Sequence, residues 1–359
     1  MKILVVGAGP AGLGAAVNAS KDGNEVMIFE RADKVGVKVC GEALPGEALN
    51  YVGLKPSDEF VINEVRGFSI SFKGEFIREI AFKNSSHAPG YIIDKPRLLS
   101  ILLSNAEAAG AKAFFNTTVR EVDPKSGKIR LKSGEIVQGD LIICADGAVS
   151  LARKHLDYSN YEIAPCIQYK CRLPAHELDP NYLYLDIIGD GYAWVFFKGD
   201  YANVGAGSLN TGSSFNAFSY LTKFMKTHNG RIVGKPRGAP VSLGGPIKSF
   251  NAGKLVVAGE AAGCVMPLTG EGNRFSIYSG SMAYKPDYRS EFMQKYGSRL
   301  ETSRKILEFI KILNDEERIE FLKGIEDPLR VLEGYLPNLR SLVSRPRLPL
   351  KMIWKYLSS

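Results

Sequence analysis

Three glycine-containing motifs have the residue types and the spacing needed to bind a dinucleotide. Gly7, Gly9 and Gly12 form a G-x-G-x-x-G sequence, and each position has its own need for glycine: a tight turn, a close approach of the backbone to a pyrophosphate, and close helix packing. Asp146-Gly147 and Gly259-Glu260 follow later in the chain. Backbone N–H groups at the start of a helix bind anions. The first motif therefore predicts a site for a phosphate-bearing cofactor.

The elements predicted around the first motif are those of a βαβ unit. Residues 2–6 form a continuous apolar run, typical of a buried parallel strand, and residues 11–22 are Ala-rich and helical in pattern. Residues 24–30 read as the second strand. Glu30 ends that strand, where a carboxylate can bind ribose hydroxyls. An acid there favours an unphosphorylated ribose, as in FAD or NAD, over NADP.

The rest of the chain predicts an α/β fold in which a Rossmann-like domain is interleaved with an antiparallel sheet. Buried strands are expected at 140–145 and 254–258, a helix at 97–109 and one strand over 113–122, and alternating patterns mark antiparallel strands. The predicted nucleotide-binding domain comprises 1–60, 91–160 and 250–285, and the predicted antiparallel-sheet substrate domain comprises 61–90 and 161–249. Residues 286–359 are predicted to be a C-terminal helical region.

Composition and charge narrow the classes of partner. The 359 residues include 46 Lys and Arg against 38 Asp and Glu, a net charge of +8, with ordinary globular shares of apolar and charged residues. The odd count of five Cys is no disulfide framework, which favours a cytoplasmic protein, and no apolar run is long enough to span a bilayer. No nucleic-acid module is present. The excess charge therefore points to a phosphate-bearing cofactor or an anionic lipid surface.

The end of the chain is the most basic segment noted in the sequence. Residues 335–359 contain no acid and five basic residues, interleaved with apolar ones: Arg340, Arg345, Arg347, Lys351 and Lys355. Such a pattern, with Trp354 among the apolar residues, suits peripheral contact with an anionic membrane. A last helix packed on the body with a solvated basic face is the alternative.

The three motifs in this order resemble the FAD-dependent glutathione-reductase-like superfamily, in its hydroxylase-type branch. The resemblance implies FAD as cofactor, and Glu260 stands where that superfamily usually has Asp, so its carboxylate lies one methylene further out. The residues that the resemblance assigns to the cofactor are Gly7, Gly9, Ala11, Gly12, Glu30, Arg31, Cys40, Gly41, Lys95, Arg97, Val119, Asp146, Gly147, Gly259, Glu260, Gly270, Gly272 and Asn273.

Two further segments resemble the geranylgeranyl reductase family. Residues 38–44 (KVCGEAL) are similar to its Cys-Gly loop, and residues 192–196 (YAWVF) to its Tyr-x-Trp-x-Phe-Pro motif, although Phe197 replaces the final Pro. Residues 267–280 also resemble that family's late loop, and Lys95 takes the place of an arginine. The resemblance implies a flavoenzyme that saturates C=C bonds of geranylgeranyl chains, in archaeal membrane ether lipids or prenyl quinones.

Two features bear on the chemistry independently of the resemblance. Cys40 lies in a Gly-rich loop and could be a redox switch, a proton source, a wall of the substrate site or a packing residue. Strand alternation puts Tyr192, Trp194 and Phe196 on one face, where they could line a slot for a prenyl chain or simply fill the core. Cys166 and Cys171 have no His at a metal-ligand spacing, so no metal site is expected.

Two other functions share the same FAD frame. One is an aromatic hydroxylase or monooxygenase that uses NAD(P)H, and the other is a protein like the electron-transfer flavoprotein–quinone oxidoreductases. The sequence does not name the electron donor, which could be a ferredoxin-like protein, NAD(P)H or another reduced carrier. The sequence contains no second dinucleotide fingerprint, so it does not indicate a stable NAD(P)H site.

Overall fold

Four sheets and a set of helices make up the part of the chain that the computed structural model describes, which is residues 1–82, 90–159, 161–174, 178–189, 191–208 and 215–338. The strands are β1 Lys2–Val6, β2 Glu25–Phe29, β3 Ala43–Pro45, β4 Val61–Val65, β5 Gly67–Phe72, β6 Glu75–Ala81, β7 Gly90–Ile93, β8 Lys112–Phe114, β9 Val119–Asp123, β10 Lys128–Leu131, β11 Ile136–Gln138, β12 Leu141–Cys144, β13 Ile163–Arg172, β14 Tyr182–Ile188, β15 Gly191–Lys198, β16 Tyr201–Ser208, β17 Arg231–Ser242, β18 Asn251–Ala252 and β19 Leu255–Val257. The helices are α1 Pro10–Lys21, α2 Lys95–Ala108, α3 Ala217–Thr227, α4 Asn273–Met282, α5 Tyr288–Phe292, α6 Ser298–Ile312, α7 Asp315–Gly324 and α8 Pro328–Leu332.

The first sheet is the Rossmann-like one, with strand order β18-β19-β12-β1-β2-β8. Its pairs β19-β12, β12-β1, β1-β2 and β2-β8 are parallel. The apolar strand β1 lies inside this sheet, so nearly all of its residues are buried. The predicted buried strands are thus confirmed, and the carboxyl ends of β1 and β12 bring the first two glycine motifs to one edge.

Helices α1 and α4 cross in close contact because glycines stand where they meet. A Cβ on Gly14 would lie 2.8 Å from the Ile277 carbonyl oxygen, and one on Gly280 would lie 2.0 Å from that of Ala11. Only glycine allows backbones to approach this closely. The crossing places the start of α4, and the loop just before it, beside the fingerprint helix.

A second large sheet is mostly antiparallel, in the order β17-β13-β16-β15-β14-β5-β6. One of its faces packs against α3 through a buried cluster that includes Ala193, Val195, Phe197, Leu221 and Met225. A small sheet, β3-β7-β4, and a meander, β11-β10-β9, complete the strands. The fold class is as expected, whereas the division into domains stays a prediction.

One feature of the sequence prediction needs correction. The single strand expected over 113–122 is two strands, because Asn116 adopts a left-handed φ of 53° and the chain turns there. Asparagine tolerates that conformation better than most residues. Its two halves join different sheets, β8 the parallel sheet and β9 the meander. The helix α3 and the long edge strand β17 had no sequence prediction of their own.

Candidate active site

The fingerprint turn leaves an open space in front of helix α1. Gly7 has a φ of +99°, and a Cβ there would lie 2.6 Å from the Ala145 carbonyl oxygen, while a Cβ on Gly12 would lie 1.9 Å from that of Gly7. A Cβ on Gly9 would meet nothing within 4 Å. Gly9 is also the N-cap of α1 and has no side chain to accept the N–H groups of the first turn. These N–H groups have no side-chain cap among the described residues, and the space in front of Gly9 suits an anionic group.

Glu30 ties the end of β2 to this turn. Its Oε2 accepts a hydrogen bond of 2.8 Å from the backbone N–H of Ala8, and its Oε1 accepts one of 2.9 Å from that of Ala32. The carboxylate therefore lies beside the fingerprint, as expected. Its contact with a ribose stays a prediction.

The central and late motifs meet at the same edge. Asp146 Oδ2 accepts a 2.8 Å hydrogen bond from the Leu151 N–H, but its buried Oδ1 has no partner among the described residues. Burial raises the pKa of Asp146, and hydrogen bonds from Ser150 and Leu151 only partly offset this. A Cβ on Gly147 would lie 3.7 Å from Glu260 Oε2, so the two motifs are in contact. A buried acceptor without a partner is a position that a ligand hydroxyl can satisfy.

This set of groups fits FAD. The N–H groups at the start of α1, which lack a side-chain cap, suit its pyrophosphate. The carboxylates of Glu30, Asp146 and Glu260 can accept hydrogen bonds from its ribose and ribityl hydroxyls. The glycine at position 9 leaves the space that a close approach needs. The residues that would hold FAD therefore provide hydrogen-bond donors for its phosphates and acceptors for its hydroxyls.

The carboxylate of Glu260 reaches beyond the cofactor cradle. It forms an ion pair with Lys38 Nζ, and its Oε1 accepts a 3.1 Å hydrogen bond from the backbone N–H of Ser242 at the end of β17. The longer side chain thus links the late motif to the Cys40 loop and to the antiparallel sheet.

The aromatic residues of β15 face the Cys40 loop. Ala193, Val195 and Phe197 belong to the cluster under α3, whereas Tyr192 and Trp194 are on the other face with ring centroids 5.6 Å apart. A Cβ on Gly41 would lie 2.9 Å from the Phe196 ring and 3.6 Å from Trp194 Nε1. The expected alternation is confirmed, and Gly41 is needed because the loop lies directly on this aromatic face.

The late loop closes the third side of the site. Tyr192 donates a 2.6 Å hydrogen bond to the Thr269 carbonyl, and burial raises the pKa of Tyr192, so its hydroxyl stays protonated. Asn273, at the start of α4, donates through Nδ2 to Cys40 Sγ at 3.5 Å and to the Ala43 carbonyl at 3.2 Å. The Cys40 loop, the aromatic face of β15 and the late loop therefore meet in one place.

Comparison with known proteins identifies the family. Residues 1–164 match the family model described as the FAD binding domain, so this is an FAD-binding chain. It is 30% identical over 330 residues to the digeranylgeranylglycerophospholipid reductase of Methanocaldococcus jannaschii, covering 83% of this chain and 81% of that one. The Thermoplasma acidophilum reductase of the same name is 31% identical, covering 82% and 81%. The chain belongs to the digeranylgeranylglycerophospholipid reductase family. It is accordingly an FAD-dependent oxidoreductase.

One solved structure agrees with this assignment to the digeranylgeranylglycerophospholipid reductase family. A geranylgeranyl bacteriochlorophyll reductase-like protein from Thermoplasma acidophilum superposes with a TM-score of 0.77 at 25% identity, covering 100% of this chain and 96% of that one. A flavin-dependent brominase has a TM-score of 0.73 at 15% identity, which shows a shared fold alone.

Within this reductase family member, the basic residues near the start of α2 have different surroundings. Lys95 is buried, and its Nζ donates a 2.7 Å hydrogen bond to the Lys38 carbonyl in the Cys40 loop. Arg97 is half-exposed and pairs with Glu59 at 2.9 Å. Thus Lys95 braces the loop, while the guanidinium of Arg97 is directed to a surface carboxylate. A flavin contact for either residue stays a prediction.

Arg31 and Val119, which the resemblance also assigns to the cofactor, lie on the Rossmann-like side. Arg31 is exposed, and its charge acts to lower the pKa of Asp146, which places it near the central motif. Val119 is buried at the start of β9. Their cofactor roles in this reductase family member stay predictions.

Four residues that sequence reasoning did not assign to the site hold the Cys40 loop. Gln168, Lys198 and Asn203 come from β13, β15 and β16, and all three are buried polar residues, as is Glu42 of the loop itself. Polar residues within otherwise apolar strands were the available signal, because such groups are buried only when they are hydrogen-bonded.

Proposed function

We propose that this chain uses FAD to reduce C=C bonds of the geranylgeranyl chains of an archaeal membrane glycerophospholipid. The observation that carries the proposal is the packing of the Cys40-Gly41 loop against Trp194 and Phe196, beside the FAD cradle. An apolar aromatic wall at this position suits a long prenyl chain better than a small polar substrate. The names of the full-length relatives support the same substrate class.

The chemistry divides between the cofactor and the chain. Reduced FAD supplies a hydride when it is bound. The chain binds the cofactor through the backbone of Gly7 to Gly12, and the aromatic rings of Tyr192, Trp194 and Phe196 exclude water and align the alkene. An isolated alkene is not polarised, so close positioning is the main contribution that the protein can make.

A proton must reach the second carbon of the alkene, and Cys40 is the candidate donor in the loop. Its sulfur accepts hydrogen bonds from Asn273 Nδ2 and from the Glu42 N–H, so it has a defined position. Replacing Cys40 by Ser and measuring the rate of product formation tests this role. Turnover equal to the wild type would remove Cys40 from the chemistry.

Product analysis tests the function. The holoenzyme, reduced chemically without oxygen, is incubated with digeranylgeranylglycerophospholipid, and the lipid is analysed by mass spectrometry. We expect a mass increase of two hydrogen atoms for each double bond reduced. An unchanged lipid, together with oxygen uptake coupled to NADPH oxidation in the presence of a small aromatic compound, would instead support a hydroxylase. Adding ferredoxin or NAD(P)H in place of the chemical reductant identifies the donor.

We also propose that the protein works in the cytoplasm at the membrane surface. Among the described residues, no helix is both long enough and apolar enough to cross a bilayer. Most of the basic terminal segment, residues 339–359, lies outside the described part of the chain. A second basic segment lies inside it: residues 215–241 contain five Lys and Arg and no acid, with Phe218, Ile232 and Val233 exposed. Basic and apolar groups together suit an anionic lipid surface.

Co-sedimentation with vesicles tests this second proposal. We would compare the full chain, a variant lacking residues 340–359 and a variant with Lys223, Lys226, Arg231 and Lys235 changed to Gln. Binding to anionic but not to neutral vesicles, reduced in at least one variant, is expected. Equal sedimentation of all three proteins would contradict it.

A further inference from the structure

Glu42 has a backbone conformation that a side chain disfavours. Its φ is +70°, in the left-handed region that residues with a Cβ rarely adopt. Residues held there usually have a surrounding structure that compensates for the strain, and such strain is often found at functional sites. The contacts of Glu42 show what compensates here.

The carboxylate of Glu42 is buried and fully hydrogen-bonded by groups outside its own loop. Its Oε2 accepts hydrogen bonds from Lys198 Nζ at 2.9 Å and from Asn203 Nδ2 at 3.0 Å. Its Oε1 accepts one of 3.1 Å from the backbone N–H of Lys95, at the start of α2. Lys198 and Glu42 are each only 8% exposed, so this is a buried ion pair. Burial lowers the pKa of Lys198, but the hydrogen bond and the charge of Glu42 outweigh it, so the pKa of Lys198 is raised.

The same sheet also binds the backbone of the residues just before Glu42. Asn203 Nδ2 donates to the Gly41 carbonyl at 3.2 Å, and Gln168 Nε2 donates to the Cys40 carbonyl at 3.0 Å. Gln168 is in turn oriented by Trp194, whose Nε1 donates to its Oε1 at 3.1 Å. The segment 40–42 is therefore held at three consecutive residues by side chains of β13, β15 and β16.

This arrangement determines where the sulfur of Cys40 lies. The N–H of Glu42 donates a hydrogen bond of 3.3 Å to Cys40 Sγ, so the backbone of the held segment contacts the sulfur directly. Asn273 donates to the same sulfur from the late loop. If segment 40–42 moved, both contacts and the packing of Gly41 on the aromatic face would change together.

We propose that Glu42 is a positioning residue for the reaction: its ion pair with Lys198 and its hydrogen bond from Asn203 hold Cys40 and Gly41 in place against the aromatic face of β15. The expected effect on turnover rests on the proposed function, whereas the geometry of the loop does not. Glu42 acts through the loop and is assigned no contact with the substrate.

A purely structural ion pair is the competing explanation, and a double variant separates the two. Glu42→Gln alone removes the nearer of the two carboxylates that pair with the buried Lys198 and leaves only Asp94, at 3.7 Å, so any loss of activity could follow from instability. In the double variant Glu42→Gln with Lys198→Met no buried charge is left unpaired, and such replacements are often neutral for stability. If the pair only stabilises the fold, the double variant should work normally. If it positions the loop, the double variant should fold but still have a displaced Cys40.

The experiment measures two quantities on the FAD-loaded proteins: the rate of Cys40 alkylation by iodoacetamide, followed by peptide mass spectrometry, and kcat and KM for lipid reduction. The wild type, Glu42→Gln, the double variant and Asp200→Asn are compared. Asp200 is a matched acid-to-amide control, because it pairs with Arg172 on the surface of the same sheet.

We expect Cys40 to be alkylated about tenfold faster in the double variant, because the loop opens more often. We expect kcat to fall by about ten- to a hundredfold with a smaller change in KM, since misplacement by about 1 Å is enough for such a loss. Asp200→Asn should match the wild type in both quantities.

Wild-type alkylation and kcat in a folded double variant would overturn the proposal, even if Glu42→Gln alone failed to fold. The alkylation measurement needs no substrate. If the wild type were inactive on the lipid while Cys40 was still alkylated faster in the double variant, the proposed function would be overturned. The positioning of the loop would remain supported.

Discussion

The two sides of the active site are built in different ways. The cofactor side is made of backbone, since Gly7, Gly9 and Gly12 create the turn, the open space and the uncapped start of helix α1 within six positions of the chain. The loop side is made of buried side chains, and its central ion pair joins Glu42 and Lys198, which are 156 positions apart. The side built from backbone is disrupted when a side-chain atom is added to one of its glycines. The side built from side chains is disrupted when one member of a pair is replaced. Substitutions should therefore fail in different ways on the two sides.

The largest effect is expected from Gly12→Ala on the cofactor side, because this substitution should impair both the stability of the fold and the binding of FAD. Its Cβ would lie 1.9 Å from the Gly7 carbonyl oxygen, and a backbone atom cannot move aside as a side chain can. We expect a loss of about 3 kcal/mol or more in the free energy of unfolding, at the upper end of overpacking effects, together with loss of FAD. Chemical denaturation and flavin absorbance measure the two results.

Gly9→Ala is the matched control for that substitution. Its Cβ meets nothing within 4 Å, so stability should stay within about 1 kcal/mol of the wild type while FAD affinity falls. If Gly9→Ala bound FAD as tightly as the wild type, the open space at Gly9 would not be the pyrophosphate site.

On the loop side, Lys198→Met should destabilise the protein by about 3–5 kcal/mol, because it leaves the Glu42 carboxylate buried without a cation. Adding Glu42→Gln should recover most of that loss, to within about 1 kcal/mol of the wild type. Urea denaturation of the two variants measures this coupling. Additive losses in the double variant would show that the two residues do not act as a pair.

The ion pair also predicts a pH dependence. The folded protein raises the pKa of Lys198, so the stabilisation is fully present below the unfolded pKa of about 10.4 and is lost as the pH rises through the folded pKa. The stability of the wild type relative to the double variant Glu42→Gln with Lys198→Met should therefore decrease above about pH 10.4. Thermal unfolding of both proteins between neutral and alkaline pH tests this. A constant difference would contradict it.

The smallest effect is expected where the two sides meet, at Glu260. Glu260→Asp keeps the charge but shortens the side chain, which should break the contacts with Lys38 and Ser242. Because Lys38 is partly exposed, we expect a loss of only about 1 kcal/mol in unfolding free energy. FAD should remain bound, as judged by flavin absorbance after gel filtration. Loss of FAD from Glu260→Asp would show that the longer side chain is required by the cofactor.

The contrast also explains what could be predicted from sequence. The fingerprint, the parallel strands and the single face shared by Tyr192, Trp194 and Phe196 follow from local spacing, and the structure has them. The ion pair of Glu42 with Lys198 could not be predicted, because no periodicity links residues on a loop and a strand so far apart. The break at Asn116 was missed because a single left-handed residue divides an otherwise strand-like run.

A single-turnover measurement tests the central claim most directly, namely that the backbone-built cradle and the aromatic wall together form a prenyl reductase site. The FAD-loaded protein is reduced without oxygen and mixed with digeranylgeranylglycerophospholipid or with its fully saturated counterpart, and flavin absorbance is followed. We predict that the oxidised flavin spectrum returns with the unsaturated lipid and not with the saturated one. No return with either lipid, and rapid return only when oxygen is admitted, would contradict the account.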